Sequence, residues 1–261
     1  MHVRRRREDG YHELETLFAF VADGDTVRLG VGEGFEVDGP FAAALAGDGD
    51  NLVIRAAAKF AQAFGVEAVG RITLTKRLPV ASGLGGGSAH AAATLRLLAG
   101  REGIALDDPR LFDCADALGS DVPACLYSRT AIGRGRGERL EPVPGAAGTP
   151  VLLVNPGVAV STAKVFAHWD GIDRGALGEG ELLAVAAAGR NDLEPSAIAV
   201  APEIGTVLAL LEVQPGVRLA RMSGSGATCF ALFDDGAARD RAAAILRHAQ
   251  PGWWCLETVL L

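Results

Sequence analysis

Residues 79–94, PVASGLGGGSAHAAAT, carry the strongest chemical signal in the chain. Gly83, Gly85, Gly86 and Gly87 fill four of five consecutive positions, so the backbone escapes the Cβ penalty for positive φ and successive N–H groups can face one hollow. The alanine-rich run that follows reads as a helix with Ser88 at or near its N-cap. The hollow therefore sits on a helix N-terminus, where unpaired donors and the macrodipole favour an anion. This is chemistry for holding phosphate. A Walker A loop needs Gly-Lys-Ser/Thr at its end, whereas Ala89 follows Gly87-Ser88 and the loop holds no lysine. A dinucleotide fingerprint needs a glycine where Ser88 stands and a second strand ending in an acidic residue, but residues 100–108 read as a loop. A protein-kinase glycine loop joins two strands, and this one joins a strand to a helix.

Other polar positions have two readings each when taken alone. Asp121, within Gly119-Ser-Asp-Val-Pro123, is a carboxylate in a turn ahead of an expected strand, or a plain turn cap. Ser223-Gly224-Ser225-Gly226 is a second glycine-serine loop between two expected strands, or a hairpin turn. Tyr11 and His12 open a strand after a turn, where amphipathic packing is the ordinary role, and Phe166 would ordinarily be core. Asn191-Asp192-Leu193-Glu194 is by itself a polar turn.

The elements that must position these residues follow from periodicity. Strands are expected over 11–21, 25–31, 34–37 and 71–78, the last leading into the glycine loop. Residues 51–64 have helical spacing with Asn51 as cap, and 108–118 read as a helix capped by Asp108 with Pro109 in its first turn. A twisted hairpin is expected over 131–143, and the stretch 144–150, rich in proline and glycine, is the best boundary. Beyond it come strands 151–154, 217–222, 228–233 and 254–260, helices 162–169, 203–211 and 237–248, and a loop over 171–180. Strands and helices mix without strict alternation, which predicts an α+β fold with domains 1–147 and 148–261.

Composition narrows the class. The 261 residues are 49% hydrophobic, enough for a sizeable core, and a formal net charge of −7 opposes a nucleic-acid partner. Cys114, Cys125, Cys229 and Cys255 are scattered without a C-x-x-C pair, the five histidines share no metal-ligand spacing, and no run of about 18 apolar residues exists. These features predict a reduced, cytoplasmic protein with no membrane partner and no protein-held metal site.

Taken together and in order, Gly10-Tyr-His-Glu-Leu14, the loop at 79–92, Leu118-Gly-Ser-Asp-Val-Pro123, Ser161-Thr-Ala-Lys-Val-Phe166, Asn191-Asp-Leu-Glu194 and Met222-Ser-Gly-Ser-Gly226 resemble a known family over essentially the whole chain. The loop resembles the second motif of the galactokinase, homoserine, mevalonate and phosphomevalonate kinase superfamily. The Gly-Tyr-His and Asn-Asp-Leu-Glu stretches narrow the resemblance to the branch that acts on a cytidine-diphosphate-linked methylerythritol in the non-mevalonate isoprenoid route. The resemblance implies a ribosomal-protein-S5-domain-2-like ATP-binding domain followed by a ferredoxin-like domain, with ATP and Mg2+ as cofactors and a monomer or weak homodimer. It implies that Pro79, Val80, Ala81, Ser82, Gly83, Leu84, Gly85, Gly86, Gly87, Ser88 and Ala89 form the ATP phosphate loop and that Asp121 is catalytic. Tyr11 and Phe166 would stack the cytosine, His12 would bond its edge, and Thr162, Asn191, Ser223 and Gly224 would line the substrate site.

Two departures accompany it. The family carries a lysine and an asparagine in its first strand, just before the segment that Met1-His2-Val3 resembles, and neither is in this sequence. The expectation is that Met1 is an internal start and that activity is impaired, with Lys76, Arg134 and Lys164 the first stand-ins to consider. His90 stands where the family more often has Asp or Asn; neutral, it is tolerable in a first helical turn. The rival readings are another small-molecule kinase of the superfamily, opposed by Tyr11, His12 and Phe166, and a catalytically impaired nucleotide-binding homologue.

Overall fold

A computed structural model of the chain describes residues 1–45, 51–67 and 69–261. In chain order its elements are β1 (His2–Arg6), β2 (His12–Phe18), β3 (Thr26–Gly30), β4 (Gly34–Asp38), α1 (Leu52–Phe64), β5 (Arg71–Thr75), α2 (Gly86–Glu102), α3 (Pro109–Asp116), α4 (Val122–Tyr127), β6 (Ala131–Gly135) and β7 (Arg139–Pro142). They continue as β8 (Pro150–Asn155), α5 (Thr162–Ala167), α6 (Leu182–Ala188), α7 (Glu194–Val200), α8 (Glu203–Glu212), β9 (Val217–Met222), β10 (Cys229–Phe233), α9 (Gly236–Ala249) and β11 (Trp254–Val259). The fold is α+β, as the sequence predicts. It divides into two compact units: Met1–Asp23, Ala81–Leu84 and Arg129–Leu261 form the first, and Gly24–Val80 with Gly85–Ser128 the second. This division in space cuts across the linear boundary expected at 147/148, which lies within the first unit.

The second unit is built on a small sheet ordered β3-β5-β4. Strand β4 runs parallel to β5, so the chain needs a crossover, and α1 lies within it. Asn51 starts α1 by accepting the Val53 amide at 2.9 Å, and Gly65 ends it in the left-handed region. Val53, Ala56, Ala57 and Phe60 recur at helical spacing and are buried against Ala91, Ala92, Leu95 and Leu98 of α2 in one core. Helix α4 packs against α2 and α3 in the same core, with Val122 and Leu126 buried, and Arg96 of α2 donates to the Cys125 carbonyl at 2.5 Å.

The first unit holds two four-stranded sheets, ordered β1-β2-β6-β7 and β11-β8-β10-β9. The second is antiparallel throughout. Numbering its strands along the chain gives the order 4-1-3-2, with helices between the first and second and between the third and fourth, the split β-α-β arrangement of a ferredoxin-like domain. Leu152, Val154, Ala231 and Phe233 project from it into a core shared with Ile204, Val207 and Leu211 of α8 and with Ala242 and Leu246 of α9.

Three local expectations are corrected. Helix α2 starts at Gly86 rather than near Ser88, because Gly85 turns left-handed (φ 66°) and its carbonyl accepts the Ala89 amide at 2.9 Å, so helical bonding already spans the glycines. No strand follows Asp121: α4 does, with Pro123 in its first turn, where no amide is needed, and Ser128 closing it. Helices α6 and α7 were not expected. Each is seven residues long, too short to hold without tertiary packing, and each buries side chains against its unit. Among the described residues no helix is long and apolar enough to cross a membrane.

Candidate active site

The glycine-rich loop is shared along the chain: Pro79 and Val80 belong to the second unit, Ala81–Leu84 to the first, and Gly85 onward to the second again. At the start of α2 no side chain caps the helix, and its first turn holds no acidic residue. The amides of Gly86, Gly87 and Ser88 therefore have no intrahelical acceptor, an arrangement suited to phosphate oxygens. A Cβ built on Gly86 meets only His90 Cε1, at 3.9 Å, so the protein leaves room beside that residue.

One carboxylate organises the segments flanking the loop. Asp25 accepts from Lys76 Nζ at 2.6 Å, the Arg77 amide at 2.6 Å, the Leu78 amide at 2.8 Å and His90 Nε2 at 2.7 Å. The three side chains are 4%, 3% and 8% exposed for Asp25, Lys76 and His90. Burial by itself would raise the Asp25 carboxyl, but the hydrogen bonds from His90, Lys76 and the two amides outweigh it and hold it well below the usual carboxylate range. His90 is thus committed to a carboxylate. Lys76 and Arg134, named above as stand-ins for a catalytic lysine, are likewise paired, Arg134 with Glu15 at 3.0 Å.

Asp121 precedes α4 and makes no side-chain cap bond, which leaves its carboxylate for other work. Burial pushes its pKa up, offset in part by hydrogen bonding from Ser120.

In the first unit, the second glycine-serine loop is a junction. Ser223 Oγ donates to the Gly83 carbonyl at 2.9 Å, and the Thr228 amide donates to the Ser82 carbonyl at 3.0 Å. Asn191 Nδ2 donates to the carbonyls of Met222 and Gly224, while its Oδ1 accepts the Leu193 amide. The Thr162 and Ser225 hydroxyls bond each other at 2.9 Å. Thr162 and Asn191 are therefore brought from distant parts of the sequence to the Ser223–Gly226 loop, with much of the polar capacity of this group spent within the first unit.

The aromatic residues form a second group. His12 and Phe166 lie with ring centroids 4.7 Å apart at 30°, and Trp169 meets His12 edge-on at 5.6 Å. Tyr11 is 52% exposed, with the Arg136 guanidinium 5.2 Å from its ring centroid. Burial first, and the charge of Arg6 second, lower the His12 pKa, which favours the neutral imidazole. Sequence reasoning missed Trp169, although it stands three residues after Phe166. It also missed Asp25, for which no local signal exists. Among the described residues no group of three His, Cys, Asp or Glu side chains is set to hold a metal ion.

A glycine-rich loop opening a helix, an aspartate with no capping role in the same unit and a ferredoxin-like domain fit the small-molecule kinases of the GHMP class. The family of the GHMP kinases N terminal domain matches residues 51–129, and that of the GHMP kinases C terminal matches 174–251. A homoserine kinase crystal structure from Cytophaga hutchinsonii, 19% identical with a TM-score of 0.68, shares the fold over 93% of this chain and 88% of its own. More specific relatives are named 4-diphosphocytidyl-2-C-methyl-D-erythritol kinase. The protein from Rhizorhabdus wittichii is 56% identical over 100% of this chain and 90% of its own, and that from Methylorubrum extorquens 48% identical over 100% and 94%. A crystal structure of 4-(cytidine 5'-diphospho)-2C-methyl-D-erythritol kinase has a TM-score of 0.77 at 34% identity, over 99% of this chain and 94% of its own. The chain belongs to the 4-diphosphocytidyl-2-C-methyl-D-erythritol kinase family.

Proposed function

We propose that the protein transfers the γ-phosphoryl group of ATP to the 2-hydroxyl of 4-diphosphocytidyl-2-C-methyl-D-erythritol. The observation that carries this reading is the 56% identity, over the whole chain, to a relative bearing that kinase's name. The donor set fits a magnesium nucleotide: unpaired amides and the Ser88 hydroxyl in a first turn without acidic side chains suit phosphate oxygens rather than a bare cation. ATP supplies the phosphoryl group, and the Mg2+ bound with it neutralises charge on the phosphate oxygens.

In this reading the segment from Pro79 to Ala89 holds the phosphates through backbone amides, and Asp121 accepts or orients the hydroxyl proton. Its upward-shifted pKa makes it a better base than an ordinary aspartate. Tyr11 and Phe166 stack the cytosine and neutral His12 bonds its edge, with stacking worth about 1–3 kcal/mol per base. That remote binding energy orients the hydroxyl for transfer. Thr162, Asn191, Ser223 and Gly224 frame the acceptor, and the hydrogen bonds of Thr162 to Ser225, Asn191 to Gly224 and Ser223 to Gly83 fix the frame. We assign the linear halves 1–147 and 148–261 to nucleotide and C-terminal domains, a division supported by the two family matches on either side of it. The working state proposed is a cytoplasmic monomer or weak homodimer.

Purified protein given ATP, Mg2+ and the cytidyl-methylerythritol acceptor is expected to release ADP and form a phosphomonoester on the acceptor, followed by 31P NMR. Transfer to mevalonate or homoserine in preference, or none to the cytidyl acceptor, overturns the assignment.

A further inference from the structure

The buried cluster Asp25–Lys76–His90 has no part in the chemistry above. We infer that Asp25 and His90 are positioning residues that clamp both flanks of the phosphate loop to one carboxylate. The inference rests on the ATP-binding reading of that loop. On the entry side, Asp25 takes the amides of Arg77 and Leu78, the last two residues before Pro79, and the ammonium of Lys76. Lys76 Nζ also donates to the Leu78 carbonyl at 2.5 Å, so the same segment is held through its carbonyl too. On the exit side, His90, in the first turns of α2, reaches Asp25 through Nε2. An ionised carboxylate only accepts, so Nε2 carries the proton in this bond.

The arrangement solves a particular problem. A run of glycines lets amides converge on phosphate but leaves the loop with large conformational freedom, which binding must then remove. Anchoring both flanks to one buried charge lowers that cost before the nucleotide arrives. The carboxylate has four donors, and ion pairing with Lys76 compensates its burial, so the anchor is satisfied within the protein. A Cβ placed on Gly86 would lie 3.9 Å from His90 Cε1, so the ring stands beside the first residue of α2 as well as reaching Asp25.

The test compares His90→Leu, which fills the space without the donor, with His90→Gln, which restores an N–H. Binding of a non-hydrolysable ATP analogue is measured by calorimetry on the full chain, and KM and kcat are measured where turnover permits. His90→Leu is expected to weaken the analogue and raise KM for ATP about tenfold, the scale of one hydrogen bond to a charged group. KM for the acceptor should stay unchanged, and His90→Gln should recover most of the loss. Equal analogue affinity in His90→Leu and the parent overturns the inference while leaving the kinase reading intact. A parent that binds no nucleotide removes both. Should His90→Leu not fold, hydrogen exchange on the unaltered protein decides: the Arg77 and Leu78 amides are expected to be protected without nucleotide, and exchange as fast as in an open loop overturns the clamp.

Discussion

The side-chain amide of Asn191 donates to the carbonyl oxygen of Gly224 at 2.8 Å. Its second donor reaches the Met222 carbonyl at 3.0 Å, so the side chain spans the base of the loop that grips Ser82 and Gly83. Asn191→Asp replaces this NH2 with an oxygen facing two carbonyls. A loss of about 1–3 kcal/mol is expected, the range for stranded buried polar groups. It should read as a lower thermal midpoint, with Asn191→Ala also destabilised. A melting curve for Asn191→Asp that overlays the parent's would remove Asn191 from the frame.

Two glycines of the loop should behave differently. A Cβ on Gly83, at φ 76°, would lie 2.7 Å from the Ser223 carbonyl and closer still to that of Gly226, whereas one on Gly86 meets only His90 at 3.9 Å. Gly83→Ala is therefore expected to destabilise the fold. Gly86→Val should melt close to the parent yet lose ATP-analogue binding, because its side chain occupies the space a phosphate needs. Undiminished analogue affinity in folded Gly86→Val contradicts the cradle.

The aromatic group gives a ligand-specific outcome. Tyr11→Ala and Phe166→Ala should each weaken cytidine nucleotides about tenfold, a figure within the stacking range, and leave ATP-analogue affinity nearly unchanged. Tyr11→Ala should cost little stability, since half of the ring is already exposed, whereas Phe166→Ala also removes the ring packed on His12. Titration of each variant with CDP and with the ATP analogue separates the effects. Parallel losses for both ligands would mark the rings as packing alone.

Asp121 predicts a pH profile. As the proposed base it would act ionised, and burial raises its pKa, so kcat/KM should fall as pH drops through a midpoint above the ordinary aspartate value of about 3.9. Asp121→Asn should lower the rate at least about a hundredfold and abolish that limb. An unchanged acid limb in Asp121→Asn assigns the titration to another group.

Asp25 sets acid stability with the opposite shift. Its folded pKa is depressed, so the stability it contributes is present above the unfolded value of about 3.9 and is lost as pH falls below it. Chemical denaturation from pH 7 to pH 3 should show a steeper loss in the parent than in Asp25→Asn. The variant should already be weaker at neutral pH, because Lys76 remains buried without its partner. Parallel pH curves for the two proteins would contradict the assignment.

The α+β class, the helices that begin at Asn51 and Asp108, and the strand-loop-helix around the glycines were legible because they rest on local rules: periodicity, caps and turn residues. The resemblance to the small-molecule kinases was legible from six short stretches in order. Local rules misplaced the start of α2 by two residues and made a strand of α4, since a glycine run and a proline look like breakers until tertiary packing supplies the cooperative gain that offsets their cost. What the sequence by itself determined is the set of reactive groups and the elements that carry them. Only the tertiary structure decided which polar groups are spent: that Asn191 serves the loop at Gly224, that His90 turns to Asp25, and that Trp169 joins His12 and Phe166. Partners 31 to 65 residues apart, such as Asn191 with Met222 or Asp25 with His90, leave no periodic trace, because pairing across that distance is set by how whole elements pack and not by the spacing of side chains along any one of them.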